Sequence, residues 1–308
     1  VSNELYDDLL RVGGAAEAVS GMGAARALAR AIAERQSAGR ELLTLGMVYP
    51  FSAHNYDLRC WLASAGINVD ADVNLVVVPP PLLSHSLHAG RVDGFCVGSP
   101  WSSVSVAAGD GVIVALKEDI WEASPEKVLG VCEHWAAGNP DTLAAVIRAL
   151  FVACEWLQNA SNRAEAARIL AQPKYVGVSE DILLALLQGR IALGRGRVRE
   201  KSNMVIFAGD GANLPDPQDA VWFLTQMLRW GQARQPFAIR SVAERVYRPD
   251  LFIAAVAGLS EAPPKRVAMR QTYCGESFDP GAPLAYLEGL AVKSDGLDLK
   301  ALSGANRL

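Results

Sequence analysis

Between Leu43 and Trp101 the spacing of apolar positions changes repeatedly, and the changes read as strand, helix, strand, helix, strand. Leu43 to Tyr49 is a strand that breaks at Pro50, and Ser52 offers an N-cap to a helix carrying Leu58, Trp61 and Leu62 at helical spacing. The run Val73 to Val78, apolar except for Asn74, is bounded by Pro79, Pro80 and Pro81. It is too short for a typical helix and predicts a strand covered on both faces, which implies a parallel sheet. A helix over Leu82 to His88 closes at Gly90, and a third strand, Val92 to Val97, delivers Gly98, Ser99, Pro100 and Trp101 to a strand end where another helix starts. Ligand sites of open α/β sheets lie at such strand ends.

Around this stretch the pattern is more helical. Val1 to Leu10 reads as the remainder of an element that began earlier, and a Gly-Gly step leads to a helix from Gly23 to Arg35. A short helix over Ser102 to Ala107 and a strand over Val112 to Leu116 complete one α/β lobe, residues 1–120. Residues 121–308 read as a mostly helical remainder of the other lobe with crossing segments. They begin with a polar connector, Trp121 to Lys127, and a strand over Val128 to Cys132. Asn139 and Pro140 start a helix that ends near Gln158; Arg163 to Ala171 follows, then Glu180 to Leu193 capped by Ser179. The connection Gly194 to Asp219, with turn signals in FAGDGANLPDP, is long enough to suggest a functional crossing between lobes. Helices over Ala220 to Trp230, Ile239 to Val246 and Asp250 to Val256 close this part, and the tail after Pro263 carries only the loop-like YCGESFDPGAP.

Composition narrows the classes. The 308 residues suffice for two lobes, each with a core, and a hydrophobic fraction of 51% makes them globular. Acidic residues exceed basic ones by 33 to 29, and no Lys/Arg block tracks a phosphate backbone, so direct nucleic-acid binding is not expected. No run has the uninterrupted apolar length of a membrane span, and the first residues do not read as a leader. Five scattered cysteines, Cys60, Cys96, Cys132, Cys154 and Cys274, read as reduced core residues, which favours the cytoplasm.

Three positions are suited to an anion. His54 follows a strand and begins a helix, where N–H groups and the positive dipole end favour negative charge. Gly98, lacking a side chain, lets backbone N–H groups approach an oxyanion, and Lys127 in the SPEK connector is a cation. Each has an ordinary alternative: a solvent-facing histidine, a turn glycine, a surface lysine. Trp101 is a candidate pocket wall or simply packed core. Enzyme templates are missing. There is no GxSxG, P-loop, CxxC or HExxH, and GMGAAR from Gly21 lacks a third glycine and a preceding strand. His134, beside Glu133 and Cys132, lacks metal-site spacing, so neither cofactor nor metal is expected. The residues by themselves describe a two-lobed α/β binding protein for something small and anionic.

The phrases FSAHNYDLRCWLASAGI, DVNLVVVPPP, RVDGFCVGSPW, SPEKVLG and GANLPDPQDAVWFLTQMLRWGQ, in this order, closely resemble the nitrate- and bicarbonate-binding proteins of ABC importers and the related soluble nitrate/nitrite sensors. The resemblance covers nearly the whole chain. It implies a type II periplasmic-binding-protein fold, α/β, with two lobes hinged around the ligand and no catalysis. It also implies a nitrate site lined by His54, Val97, Gly98 and Lys127, with Trp101 and Ser99 as candidate pocket wall. Family members carry a further strand and helix region ahead of the part matched here, so the first lobe is expected to be incomplete at its N-terminus. Importer members tend to read VGEPW where this chain has Ser99, and Pro215, Asp216 and Pro217 replace a Pro-Trp pattern. Both departures resemble the sensor branch, implying a cytoplasmic protein whose partner is a regulatory antiterminator. The importer branch implies instead a periplasmic or membrane-anchored protein that docks on an ABC permease. The bicarbonate branch has an acidic residue and a metal where this chain has Lys127, so Lys127 points to nitrate or nitrite without metal. Bicarbonate and another small anion remain alternatives, as does a small-heterocycle biosynthetic enzyme on the same fold, which would need a reactive cysteine or lysine.

Overall fold

The computed structural model describes residues 1–18, 21–121, 124–201, 204–209, 211–233, 237–259, 272–294, 297–300 and 302. In chain order α1 (Asn3–Ala18) and α2 (Met22–Ser37) precede β1 (Leu43–Met47), α3 (Ala53–Ser64), β2 (Val73–Val77), α4 (Pro80–His88), β3 (Gly94–Phe95), α5 (Trp101–Ala107) and α6 (Lys117–Ile120). Two antiparallel hairpins follow much later, β4 (Arg190–Gly194) with β5 (Arg197–Glu200), and β6 (Thr272–Tyr273) with β7 (Glu276–Ser277). The chain divides into two compact units. One comprises Val1–Ser124, Ala167–Met204 and Gln271–Ser277; the other comprises Pro125–Ala166, Val205–Arg270 and Phe278–Leu308.

The first unit is built on a three-stranded sheet in the order β2-β1-β3, with both ladders parallel. Leu43, Leu45 and Met47 of β1 are buried, and so are apolar residues of the crossovers, among them Leu58, Trp61 and Leu62 of α3 and Leu83 of α4. α1 and α2 pack through small side chains; a Cβ on Gly13 would stand 2.8 Å from that of Ala27. Ionic contacts join the two helices, Arg11 to Glu34 at 2.8 Å and Arg26 to Glu17 at 3.0 Å.

The regular elements of the second unit are all helices among its described residues. The helix Pro140–Gln158 meets Pro249–Val256 through an edge-to-face pair, Phe151 and Phe252, with centroids 6.0 Å apart. Pro217–Arg229 packs against Ile239–Val246 and Pro283–Gly289 around Trp222, Leu228, Ile239 and Leu287. Arg229 is buried there; its guanidinium lies 4.5 Å from the Trp230 ring and its Nε donates to the Val292 carbonyl at 3.1 Å. Among the described residues no single helix is long and apolar enough to cross a membrane.

Several expectations are corrected. β1 ends at Met47, two residues before Tyr49, so Val97 finds no ladder partner and β3 shrinks from Val92–Val97 to Gly94–Phe95. β2 is an edge strand with Asn74 and Val77 exposed, rather than a strand covered on both faces. Val112 to Leu116 is not a strand: the N–H groups of Val112 and Ile113 bond singly to the carbonyls of Val1 and Leu193. Val128 to Cys132 is irregular and exposed, since β-branched composition makes no strand without a neighbour to pair with. The helix expected over Glu180 to Leu193 stops at Leu187; Gly189, at φ 80°, turns the rest of the apolar run into β4. The loop-like YCGESFDPGAP contains β6 and β7, joined through Cys274 (φ 51°) and Gly275 (φ 85°), the pair of positive φ angles that a tight hairpin turn requires. The tail residues 260–271 ahead of it lie outside the described residues.

Gly46, in the central strand, shows how closely α4 lies on the sheet. A Cβ there would stand 2.7 Å from Leu83 Cδ2 and 3.2 Å from Phe95 Cβ, and Leu83 is fully buried. Gly46→Ala is therefore expected to destabilise the protein by about 1–3 kcal/mol through overpacking, read from the midpoint of denaturant unfolding. An unchanged midpoint would mean that α4 yields freely.

Candidate functional site

With strand order β2-β1-β3, the chain leaves β1 through α3 toward β2 on one side, while β3 lies on the other. The strand order thus reverses beside β1, and the crevice beyond the carboxyl ends of β1 and β3 is where such sheets place a ligand. Two segments border it, Val48 to His54 after β1 and Cys96 to Trp101 after β3.

The first segment is fixed by its own polar groups. Ser52 caps α3: its Oγ accepts from the Asn55 N–H at 3.2 Å and donates to the Tyr49 carbonyl at 2.8 Å. Asn55, itself buried, donates through Nδ2 to the Pro50 carbonyl at 2.6 Å and accepts from Arg59 Nε at 3.3 Å. These bonds hold half-buried His54 in the first turn of a 12-residue helix, at the positive end of its dipole. The second segment is anchored by the Cys96 N–H, which donates to the Gly46 carbonyl at 3.0 Å. Val97 and Gly98 follow half-buried and Ser99 is exposed. Trp101 packs against a cluster of Ala167, Val178 and Leu183.

His54, Val97 and Gly98 therefore sit on the two segments that leave β1 and β3. Lys127 belongs to the second unit; its side chain is 73% exposed and forms an ion pair with Glu126. Among the described residues no group of three or more His, Cys, Asp or Glu is placed to hold a metal ion.

A buried polar cluster lies directly behind His54. Asp57, on the next turn of α3, accepts from Tyr273 Oη at 3.1 Å and faces Lys117 Nζ of α6 at 3.3 Å. Burial pushes the Asp57 carboxyl above the usual carboxylate range, against the opposing pull of Lys117, His54 and the Tyr273 hydroxyl. Burial likewise raises the Tyr273 phenol, whose ring meets Trp121 edge-on at 5.5 Å. Sequence reasoning missed this cluster. Its one local signal is that Asp57 shares a helix face with Cys60 and Trp61, which marks it as inward-facing.

The chain matches the NMT1-like family over residues 10–171. It belongs to that family. Its relatives include the nitrate import ATP-binding protein NrtC of Synechocystis sp., 37% identical over 260 residues, or 83% of this chain and 38% of that one. The nitrate/nitrite binding protein NrtA of Synechococcus elongatus is 33% identical over 270 residues, 86% of this chain and 61% of its own length. The bicarbonate transport ATP-binding protein CmpC of Synechocystis sp. is 36% identical over 245 residues, 79% and 36%. The crystal structure of the periplasmic nitrate-binding protein NrtA from Synechocystis PCC 6803 superposes with a TM-score of 0.82 at 26% identity, covering 95% of this chain and 74% of that one. This NMT1-like chain thus spans about three-fifths of the length of the nitrate-binding relative and under two-fifths of the ATP-binding ones. The expected α/β binding-protein fold is borne out by the structural match.

The Ser52 cap holds the turn that carries His54. Ser52→Ala is expected to cost about 1 kcal/mol of stability, with faster amide exchange at Asn55, whereas Ser52→Asp retains the cap. Equal exchange in all three proteins would show that the loop is held by Asn55 alone.

Proposed function

We propose that this chain binds nitrate or nitrite, without turning it over, as the solute-binding part of an importer. The carrying observation is that His54, at the head of α3, and Val97 and Gly98, after β3, lie at the carboxyl ends of adjacent parallel strands where the strand order reverses. A nitrate ion has three acceptor oxygens and no proton to give, so a helix head and backbone N–H groups suit it. The resemblance adds Lys127, whose ammonium supplies donors and charge. Nitrate-binding NrtA and nitrate-importing NrtC among the relatives support the same reading.

The importer reading replaces that of a cytoplasmic sensor with an antiterminator partner: the relatives are named as importer or binding proteins, and the solved neighbour as periplasmic. An ABC permease is the partner this implies. Bicarbonate remains the second reading, favoured by the similarity to CmpC. Lys127 speaks against it, because a cation at that place takes the role the bicarbonate branch gives to a metal.

Calorimetric titration with nitrate, nitrite and bicarbonate, with and without calcium, tests this reading. Charge-assisted hydrogen bonds contribute about 1.5–3 kcal/mol each, so Lys127→Ala should weaken nitrate binding roughly ten- to a hundredfold. Lys127→Glu should nearly abolish it, and His54→Ala should weaken it as well. Calcium-dependent bicarbonate binding, or nitrate binding that survives Lys127→Glu unchanged, would overturn the assignment.

A further inference from the structure

The helix Pro140–Gln158 of the second unit is apolar on two sides. Its inward side carries Leu143, which is buried, and Phe151, which meets Phe252. Its outward side carries Ala145, Val146, Ala149, Leu150, Val152 and Ala153, all exposed, with Val146 at 37%, Leu150 at 46% and Val152 at 54%. A helix that is apolar all round is ordinarily covered all round, and a contiguous exposed apolar strip marks a contact surface. Thr142, Ala149 and Trp156 alternate with Ala145 and Val152 at the three- and four-residue spacing of a heptad seam. Asp141, Arg148 and Glu155, the charged residues of this helix, stand seven apart in one row along the edge of that seam, with alternating sign. Arg148 and Glu155 are exposed, and neither forms an ion pair among the described residues.

We propose that the outward face of Pro140–Gln158 is an interface with a second copy of this chain, the two helices running antiparallel about a two-fold axis. Charge decides the direction. In a parallel pair the charged row would face the partner's Val146 and Ala153, whereas an antiparallel pair sets the row against itself. Arg148 then meets the partner's Glu155 and Glu155 meets the partner's Arg148, so one symmetry operation forms two ion pairs. That register overlaps residues 145–158 of both helices and places all six outward apolar residues within the contact, while pairing Asp141 with the partner's Arg148 overlaps only 140–149. The small side chains of Ala145, Ala149 and Ala153 let the two helices approach closely. A lipid surface fits less well. An interfacial helix sets its apolar face against a strongly charged one, and this helix has no charged face; its row of charges also sums to one negative charge, which anionic lipid repels.

Sedimentation equilibrium of the intact protein at low ionic strength tests this. An interface of this length is at the small end for a specific pair, so a dissociation constant on the order of micromolar is expected. Arg148→Glu and Glu155→Arg each turn both ion pairs into repulsions and should weaken the dimer about tenfold. The two reversals combined exchange the signs and should restore the wild-type dissociation constant. Val152→Glu, beside the axis, should abolish the dimer. All three positions are exposed, so the unfolding midpoint of a monomeric variant, followed in parallel, reports whether the fold is kept. A wild-type protein that stays monomeric overturns the proposal, whether the face is bare or is covered by another part of a longer chain or by lipid. A dimer that tolerates both single reversals and Val152→Glu overturns it equally, since the copies then meet elsewhere.

Discussion

The central constraint on the first unit is that β1 is hydrogen-bonded in parallel on both sides. Parallel neighbours cannot be joined by a tight turn, so each connection must be a crossover, and α3 and α4 supply two of them. Burial of Leu43, Leu45 and Met47 follows from lying in the middle of the sheet, and so does the need for glycine at 46, where α4 comes closest. The crevice is a by-product of the same arrangement, because chain segments leaving β1 and β3 go to opposite sides of the sheet. His54 and Gly98, more than forty residues apart, become neighbours in topology.

What the sequence revealed was whatever its periodicity encoded. α3 could be read from Ser52 and from Leu58, Trp61 and Leu62; β2 from its prolines; Pro140–Gln158 and Pro217–Arg229 from their caps and apolar stripes. What it concealed depended on partners. Val112 to Leu116 and Val128 to Cys132 have strand-like composition but no ladder beside them, and composition cannot report a missing neighbour. The run through Ile191 and Leu193 continued an apolar helix in pattern, and only the positive φ at Gly189 separates the two. The candidate residues His54, Val97 and Gly98 could be placed after β1 and β3 from the same strand pattern, although β3 itself is shorter than that pattern predicts. Asp57 was not legible, because an aspartate in a helix normally faces water, and Lys117 and Tyr273, which explain it, are remote in sequence.

The buried cluster also contrasts with the ionic pairs elsewhere. Arg245 with Glu133 and Arg248 with Asp250 lie on the surface, where screening and side-chain entropy leave little net stabilisation. The contact between Asp57 and Lys117 lies where water is largely excluded, so loss of either partner costs far more than the pair contributes when whole. Such a pair is better suited to fixing one arrangement than to adding stability. The neighbouring α6 is tied down further by Arg199, 2.7 Å from Asp119, and by Lys201 with Glu118.

The hydrogen bond from Tyr273 to Asp57 spans 216 positions of the chain. On the ribosome, the sheet, α3 and α6 can assemble long before Tyr273 has been synthesised. At roughly 5–20 residues per second, the carboxylate would wait on the order of ten to forty seconds for its phenol. For that interval the first unit is a nascent chain with an unfilled polar pocket in its core. Contacts of such long range also slow refolding, since the ends of the loop must meet before any energy is gained. The last stretch of the first unit to be translated therefore sets when that unit becomes native.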